Sequence, residues 1–210
     1  MQSNNWLNRI KSIKRTRIFL LITLLTIFHQ TSSAQKDPQL REALSIITKA
    51  SISGDIEGIL SQTSPRIIKS MGGMDQATKL TKELYSSLLK YGVKLDSMIS
   101  YVDMDVSKID GIAYCFIPQV LVMSMAEKDK KAITSANLLA IKEDDTKKWT
   151  FFNFNKIDQE KINMFLPEFS GKISLPPGLE KKTFVVQKED VAKTVDHLMQ
   201  LIDESVKKRN

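Results

Sequence analysis

The sequence predicts an α+β protein in which N-terminal helices pack on one face of a curved antiparallel sheet. Apolar residues recur at three- and four-residue intervals up to Tyr91, and from Lys94 onward the interval shortens to two. The later segments are joined by short polar links, EKDKK and EDDTKK, which are typical of hairpins. Helices followed by a meander of strands favour helices gathered on one side of an antiparallel sheet.

The first helices are marked by their ends as well as by their spacing. Pro38 begins a helix whose apolar residues are Leu40, Ala43, Leu44, Ile47 and Ala50. The segment DIEGIL predicts a further helical turn. Ser64-Pro65 is typical of an N-cap followed by proline at the first helical position, and Gly72-Gly73 ends that segment.

A longer helix is predicted from about Asp75 to Tyr91, with Gly92 as its C-terminal stop. One of its faces carries Leu80, Leu84, Leu88 and Tyr91. Four-residue steps keep these side chains together along the helix.

Four strands are predicted next: Lys94–Val106, Ile112–Ala126, Ala132–Lys142 and Trp149–Phe154. The second is apolar on both faces, which predicts a strand covered on two sides. Pro118 within it cannot donate to a ladder, so a bulge or bend is expected there.

The aromatic cluster at the end of the meander divides between the two faces of a strand. Trp149, Phe151 and Asn153 point one way, and Thr150, Phe152 and Phe154 point the other. The second face therefore needs a cover, and the chain beyond Asn155 is expected to fold back and supply it.

The chain is expected to comprise a signal peptide (1–34), an α+β domain (35–166), an extended strap or linker (167–187) and a C-terminal helix (188–210). Asp158 is expected to cap a short helix carrying Ile162, Phe165 and Leu166, and KTFVVQ predicts one more strand. Glu189–Lys207 is amphipathic, and its apolar stripe contains Val191, Val195, Leu198, Ile202 and Val206. Packing of this helix on its own domain is favoured over a role as a partner-binding helix.

The first 34 residues have the pattern of a secretory signal peptide. Basic residues precede an apolar run of 11, Ile18–Phe28, and small residues follow it. Ser32 and Ala34 occupy the −3 and −1 positions of a cleavage before Gln35. Because a membrane-spanning helix needs about 20 apolar residues, cleavage and export to the periplasm or beyond the cell are expected, with no membrane association afterwards.

Cleavage would remove most of the positive charge. The full chain has 31 basic and 24 acidic residues, a net charge of +7. The segment holds five basic and no acidic residues, so 26 against 24 remain, or +2. The remaining lysine pairs are scattered, and a nucleic-acid partner is therefore not expected. Cys115 is the single cysteine, which excludes an intramolecular disulfide.

The order of these elements resembles the nuclear-transport-factor-2-like superfamily of cone-shaped, cystatin-like α+β proteins. Three N-terminal helices, Gly-Gly after the second, and a meander ending in W-x-F-F carry the resemblance over residues 38–155. The resemblance implies a bent sheet around a long helix, with a cavity at the mouth of the cone. The Ala-Gln junction and the Lys/Ile/Asn/Ser-rich composition resemble those of exported proteins of Bacteroidetes-type bacteria.

Enzymes of this superfamily commonly place a carboxylate base in the cone, sometimes paired with histidine or tyrosine. The one histidine after the signal segment, His197, lies on the C-terminal helix outside the resemblance and is expected at the surface. Asp103, Asp105 and Asp110 fail the spacing of a calcium loop, and Asp110 with Gly111 predicts a hairpin turn. Cys115, between Tyr114 and Phe116, is expected to be a buried, unreactive thiol. No catalytic residue, metal or cofactor is predicted.

Tyr85, Tyr101, Tyr114 and Trp149 are the candidate ligand-binding residues, with core packing as the alternative for each. The expectation is an exported binding module, monomeric or homodimeric, for a small apolar ligand or a protein partner. One alternative is an isomerase- or dehydratase-like enzyme that uses a cone-facing Asp or Tyr as acid or base. Another is an assembly subunit whose strap and C-terminal helix clasp a partner.

Overall fold

A computed structural model of the chain describes residues 37–143, 147–153, 163–173 and 181–207, all within one compact unit, Asp37–Asn210. The predicted signal peptide and its cleavage site at Ala34 and Gln35 lie outside the described residues. So do Phe154, the predicted cap Asp158 and Ile162.

Four helices come first, and their ends follow local sequence signals. They are α1 (Pro38–Ser53), α2 (Ile56–Ser61), α3 (Pro65–Ser70) and α4 (Met74–Lys90). The predicted cap of α3 is confirmed: the Ser64 hydroxyl accepts a hydrogen bond from the Arg66 N–H at 3.3 Å. Gly72 and Gly73 have φ values of +97° and +94°, which glycine adopts without strain, and they separate α3 from α4.

Six strands form one antiparallel sheet within the described residues. They are β1 (Lys94–Ser100), β2 (Ser107–Ile109), β3 (Ile112–Ser124), β4 (Lys130–Lys142), β5 (Trp149–Asn153) and β6 (Thr183–Gln187). The order is β1-β3-β4-β5, while β2 also pairs with β3 and β6 with β4. The predicted turn at Asp110-Gly111 is confirmed, since both residues have positive φ, 49° and 85°, as a tight two-residue hairpin requires.

The prediction of one strand from Lys94 to Val106 is wrong, because pairing with β3 stops at Ser100. The Tyr101 N–H still reaches the Pro118 carbonyl at 2.8 Å. Pro118 has no N–H to donate to Tyr101 in exchange, so the hydrogen-bond ladder between β1 and β3 ends at this pair. Of the bulge or bend expected at Pro118, the bulge is wrong: the register of Pro118 with Asn137 of β4 is continuous, and the irregularity lies between Leu95 and Ser97 of β1.

One face of the sheet packs against α1. The predicted apolar side of α1 meets alternate residues of the central strands, and the cluster contains Leu40, Ala43, Leu44, Ile47, Ala113, Cys115, Ile117, Leu138, Ala140, Trp149 and Phe151. Helices therefore pack on a curled antiparallel sheet, as predicted.

The opposite face is covered by the C-terminal extension. At one end Phe152 lies with Leu166, Phe169 and Ile173, which come from the segment after β5. At the other end the predicted stripe of α5 (Val191–Lys207) packs on Val120, Val122 and Ile133 of the sheet. The expected covering of the second aromatic face and the packing of the last helix on its own sheet are both confirmed.

The leucines of α4 share one face as predicted, but that face is not buried in the core. Leu84 is 57% and Tyr91 is 71% exposed, while Ala77 of the same helix is fully buried. The helix packs against α2 and α3 rather than against the sheet. It is α1 that lies on the sheet.

Candidate functional site

The sequence-predicted aromatic residues do not converge on one cavity. Trp149 belongs to the α1 face, where its indole N–H donates to Asp37 Oδ2 at 2.8 Å. Tyr85 is on α4, and its hydroxyl donates to the Ser51 carbonyl at 3.2 Å. Each of these contacts joins two parts of the fold and serves packing.

The other two aromatic candidates lie in the clusters of the opposite face. The Tyr101 hydroxyl donates to Asp203 Oδ1 of α5 at 2.9 Å. The Tyr114 ring meets the Phe169 ring edge-on, with 5.2 Å between centroids. Both residues hold the C-terminal extension against the sheet.

The titration of these groups follows from their partners. Burial raises the pKa of Asp37, but hydrogen bonds from Trp149 and from the Gln39 N–H outweigh it, and the net pKa is lowered. Burial together with the Asp203 carboxylate raises the pKa of Tyr101 to about 12. A tyrosine that holds its proton this firmly is a poor acid near neutral pH.

The remaining polar candidates also make structural contacts or lie at the surface. Asp103 pairs with Arg41 at 3.2 Å, and Asp110 in the hairpin turn pairs with Lys172. Cys115 is buried, with its thiol 3.6 Å from the Phe116 carbonyl. His197 is exposed on α5, as expected.

The described part of the chain contains no group of three or more His, Cys, Asp or Glu side chains placed to hold a metal ion. Among the same residues, no helix has the length and apolar character needed to cross a membrane.

A groove of about 650 Å³ lies where α2, α3 and the start of α4 meet the first residues of β5. Its apolar wall is formed by Leu60, Pro65, Ile68 and Met74. Leu60 and Ile68 are buried and fixed, whereas Met74 is half exposed at the opening of α4. None of the four aromatic candidates lines this groove.

Backbone hydrogen bonds between the helices and the sheet hold the groove in shape. The Phe151 N–H donates to the Gln62 carbonyl at 2.8 Å, and the Ser64 N–H donates to the Phe151 carbonyl at 3.4 Å. The link between α2 and α3 thus pairs with the edge of β5. This pairing brings Thr150 and Lys148 to the wall opposite α3.

The groove is electropositive. Exposed Lys69 and Lys148 line it, and the N-terminus of α4 opens onto it at Gly73, where no side chain caps the helix. The free N–H groups of a helix N-terminus carry partial positive charge. Among the residues that the structure describes, none of those lining the groove is acidic.

Sequence reasoning missed this groove because its walls come from three separate segments. The sequence does mark the start and end of α3, at Ser64-Pro65 and Gly72-Gly73, and a helix of this length is too short to bury both of its sides. What they could not show was the pairing of Thr63 with Phe151 that closes the groove.

Comparison with known proteins gives a uniform result: the chain matches no protein-family model, no curated protein and no solved structure.

Proposed function

We propose that the chain is a non-catalytic binding module of the cone-shaped, nuclear-transport-factor-2-like type, which accepts a small apolar ligand bearing one anionic group. The ligand occupies the groove between α3 and β5. Its apolar part lies against Leu60, Ile68 and Met74, and its anionic group lies near Lys69 and Lys148.

The shape and charge of this groove carry the proposal. A volume of about 650 Å³ falls in the range of small-molecule sites. An apolar wall supplies non-directional attraction for a hydrocarbon chain. The positive charges of Lys69 and Lys148 in the lining favour a negative headgroup over a neutral one.

Binding is favoured over acid–base catalysis because the described titratable groups of the groove are cationic. The tyrosines considered as an acid or base, Tyr85, Tyr101 and Tyr114, are engaged in contacts between elements. No observation at the groove assigns them a substrate.

A matched pair of ligands tests the proposal. Laurate and lauryl alcohol have the same hydrocarbon length, and each is used to displace a dansyl-labelled fatty acid from the purified protein. We expect laurate to bind more tightly. Lys69→Glu replaces attraction by repulsion and weakens laurate by roughly tenfold, while leaving the alcohol unchanged.

Met74→Trp, at an exposed position, narrows the groove and weakens both ligands. Lys82→Glu, at an exposed position of α4 outside the lining of the groove, is the matched charge control. Equal affinity of the two ligands, or an equal effect of both lysine substitutions, contradicts the proposal.

We also propose that the protein is exported and that its first 34 residues are removed. The support is the sequence pattern of residues 1–34. Mass measurement of the product of the full chain in a bacterial host is expected to show an N-terminus at Gln35. Ala34→Phe, at the −1 position, blocks processing, whereas Ser33→Phe, at −2, permits it; identical processing of both variants contradicts the assignment.

A further inference from the structure

One face of α4 carries a row of exposed apolar side chains that belong neither to the core nor to the groove. Ala77 begins this face, and Leu80, Leu84, Leu88 and Tyr91 continue it in three- and four-residue steps. Only the Ala77 end is buried; beyond it the same face is open. We define these last four residues as the α4 stripe.

Neighbouring elements hold α4 at its first turn and from one side along its length. Ala77 packs with Leu60 and Ile68 at the start of the stripe face. The Tyr85 side chain lies over Gly54 and donates to the Ser51 carbonyl, so it fixes the helix to the end of α1. At about 100° per residue, Tyr85 lies about a quarter-turn from the α4 stripe, which stays exposed on a fixed helix.

Three exposed charges accompany the stripe and indicate what covers it. Lys79, Glu83 and Lys90 each directly precede a stripe residue. Residues four and seven apart lie on the same flank of a helix. One flank therefore carries a negative charge near its middle and a positive charge near each end.

We propose that the α4 stripe binds the α4 stripe of a second copy of this chain, antiparallel and about a two-fold axis. With the axis between Leu84 and Leu88, Leu80 of each copy lies against Tyr91 of the other. Glu83 of each copy then lies opposite Lys90 of the other, so the two ion pairs form symmetrically. A two-fold contact of this kind is self-complementary and closes at two copies.

The contact is small, and the dimer is accordingly weak. Seventeen residues of helix span about 25 Å, and one helix pair buries less than the roughly 800 Å² per partner of a standard interface. We expect a dissociation constant on the order of 10 to 100 µM, which corresponds to a monomer–dimer exchange rather than a permanent dimer.

Sedimentation equilibrium of the protein recovered from expression of the full chain, over a concentration series, measures this association. Leu84→Glu buries a charge at the contact and leaves the protein monomeric. Leu89→Glu is the matched control, because Leu89 is 61% exposed on the same helix but points away from the stripe. It leaves the association unchanged, and both variants retain the wild-type unfolding transition.

Charge exchange tests the antiparallel register. Glu83→Lys and Lys90→Glu each weaken the dimer by about threefold to tenfold, and the double variant restores it. Wild-type protein that stays monomeric into the millimolar range overturns the proposal. So does a dimer that survives Leu84→Glu, or a double variant no better than the single ones.

Discussion

Replacing Phe169 by alanine tests whether the C-terminal extension is part of the core. Phe169 is 0% exposed and lies on the sheet with Leu166, Ile173 and the Tyr114 ring. A fully buried Phe→Ala change costs about 3–5 kcal/mol, because both the transfer free energy and a cavity are involved. For a protein of this size each kcal/mol lowers Tm by about 2–4 °C, so a fall of roughly 6–20 °C is expected.

Urea unfolding followed by far-ultraviolet circular dichroism measures this loss, with thermal unfolding as a second readout. Phe184→Ala is the matched control, because Phe184 on β6 is 38% exposed and its loss is expected to cost under about 1.5 kcal/mol. If the two substitutions cost the same, the extension does not complete the core and the reasoning is refuted. A double-mutant cycle with Tyr114→Leu is expected to show a coupling of about 0.5–1.5 kcal/mol from the edge-on ring contact.

Two further predictions concern charged contacts between elements. Arg66→Ala removes the cation that the Glu143 and Glu168 carboxylates share and is expected to cost about 1–3 kcal/mol in urea unfolding, against under about 0.5 kcal/mol for the exposed Arg41→Ala. Burial raises the pKa of Glu168, but its backbone hydrogen bond and Arg66 lower the pKa overall. The stabilisation from this carboxylate is therefore present above its ordinary pKa of 4.5 and is lost as the pH falls through the lowered pKa. In Arg66→Ala, the free energy of unfolding should depend less on pH in this acid range. Tyr101→Phe removes the hydrogen bond to Asp203 and costs about 0.5–1.5 kcal/mol. The pKa of Tyr101 is raised from 10.0 to about 12, so the stabilisation from this hydroxyl is present below pH 10 and is lost as the pH rises toward 12. An ultraviolet titration of the wild type should show one tyrosine ionising near pH 12, and this component should be missing in Tyr101→Phe. Its persistence in the variant would contradict the assignment.

The elements that could be predicted from the sequence are those governed by local rules. The stripe of α5 from Val191 to Val206 and the turn at Asp110-Gly111 each depend on residues close together in the chain. The covering of β3 on both faces could also be predicted, because a strand that is apolar on both faces is unfavourable if either face is open to water.

Other features depend on contacts between distant residues, and these the sequence did not reveal. A helical period shows that Leu80, Leu84 and Leu88 share a face but cannot show whether that face is covered. Tyr101 and Trp149 are both predicted cavity residues, yet they belong to clusters on opposite faces of the sheet, and Tyr101 lies just beyond the end of β1 at Ser100. The groove escaped prediction for the same reason, because Thr63 and Phe151 are brought together by tertiary pairing.

The pairing of β6 with β4 has a consequence for the order of folding. The β3–β4 hairpin joins Ser124 to Lys131 and can close early, whereas Thr134 meets Thr183 only across 49 residues. Contacts between residues so far apart in sequence form slowly, because the intervening chain must be ordered first. A growing chain therefore holds an uncovered apolar sheet face until α5 has been made, because α5 covers Val120, Val122 and Ile133 of that face.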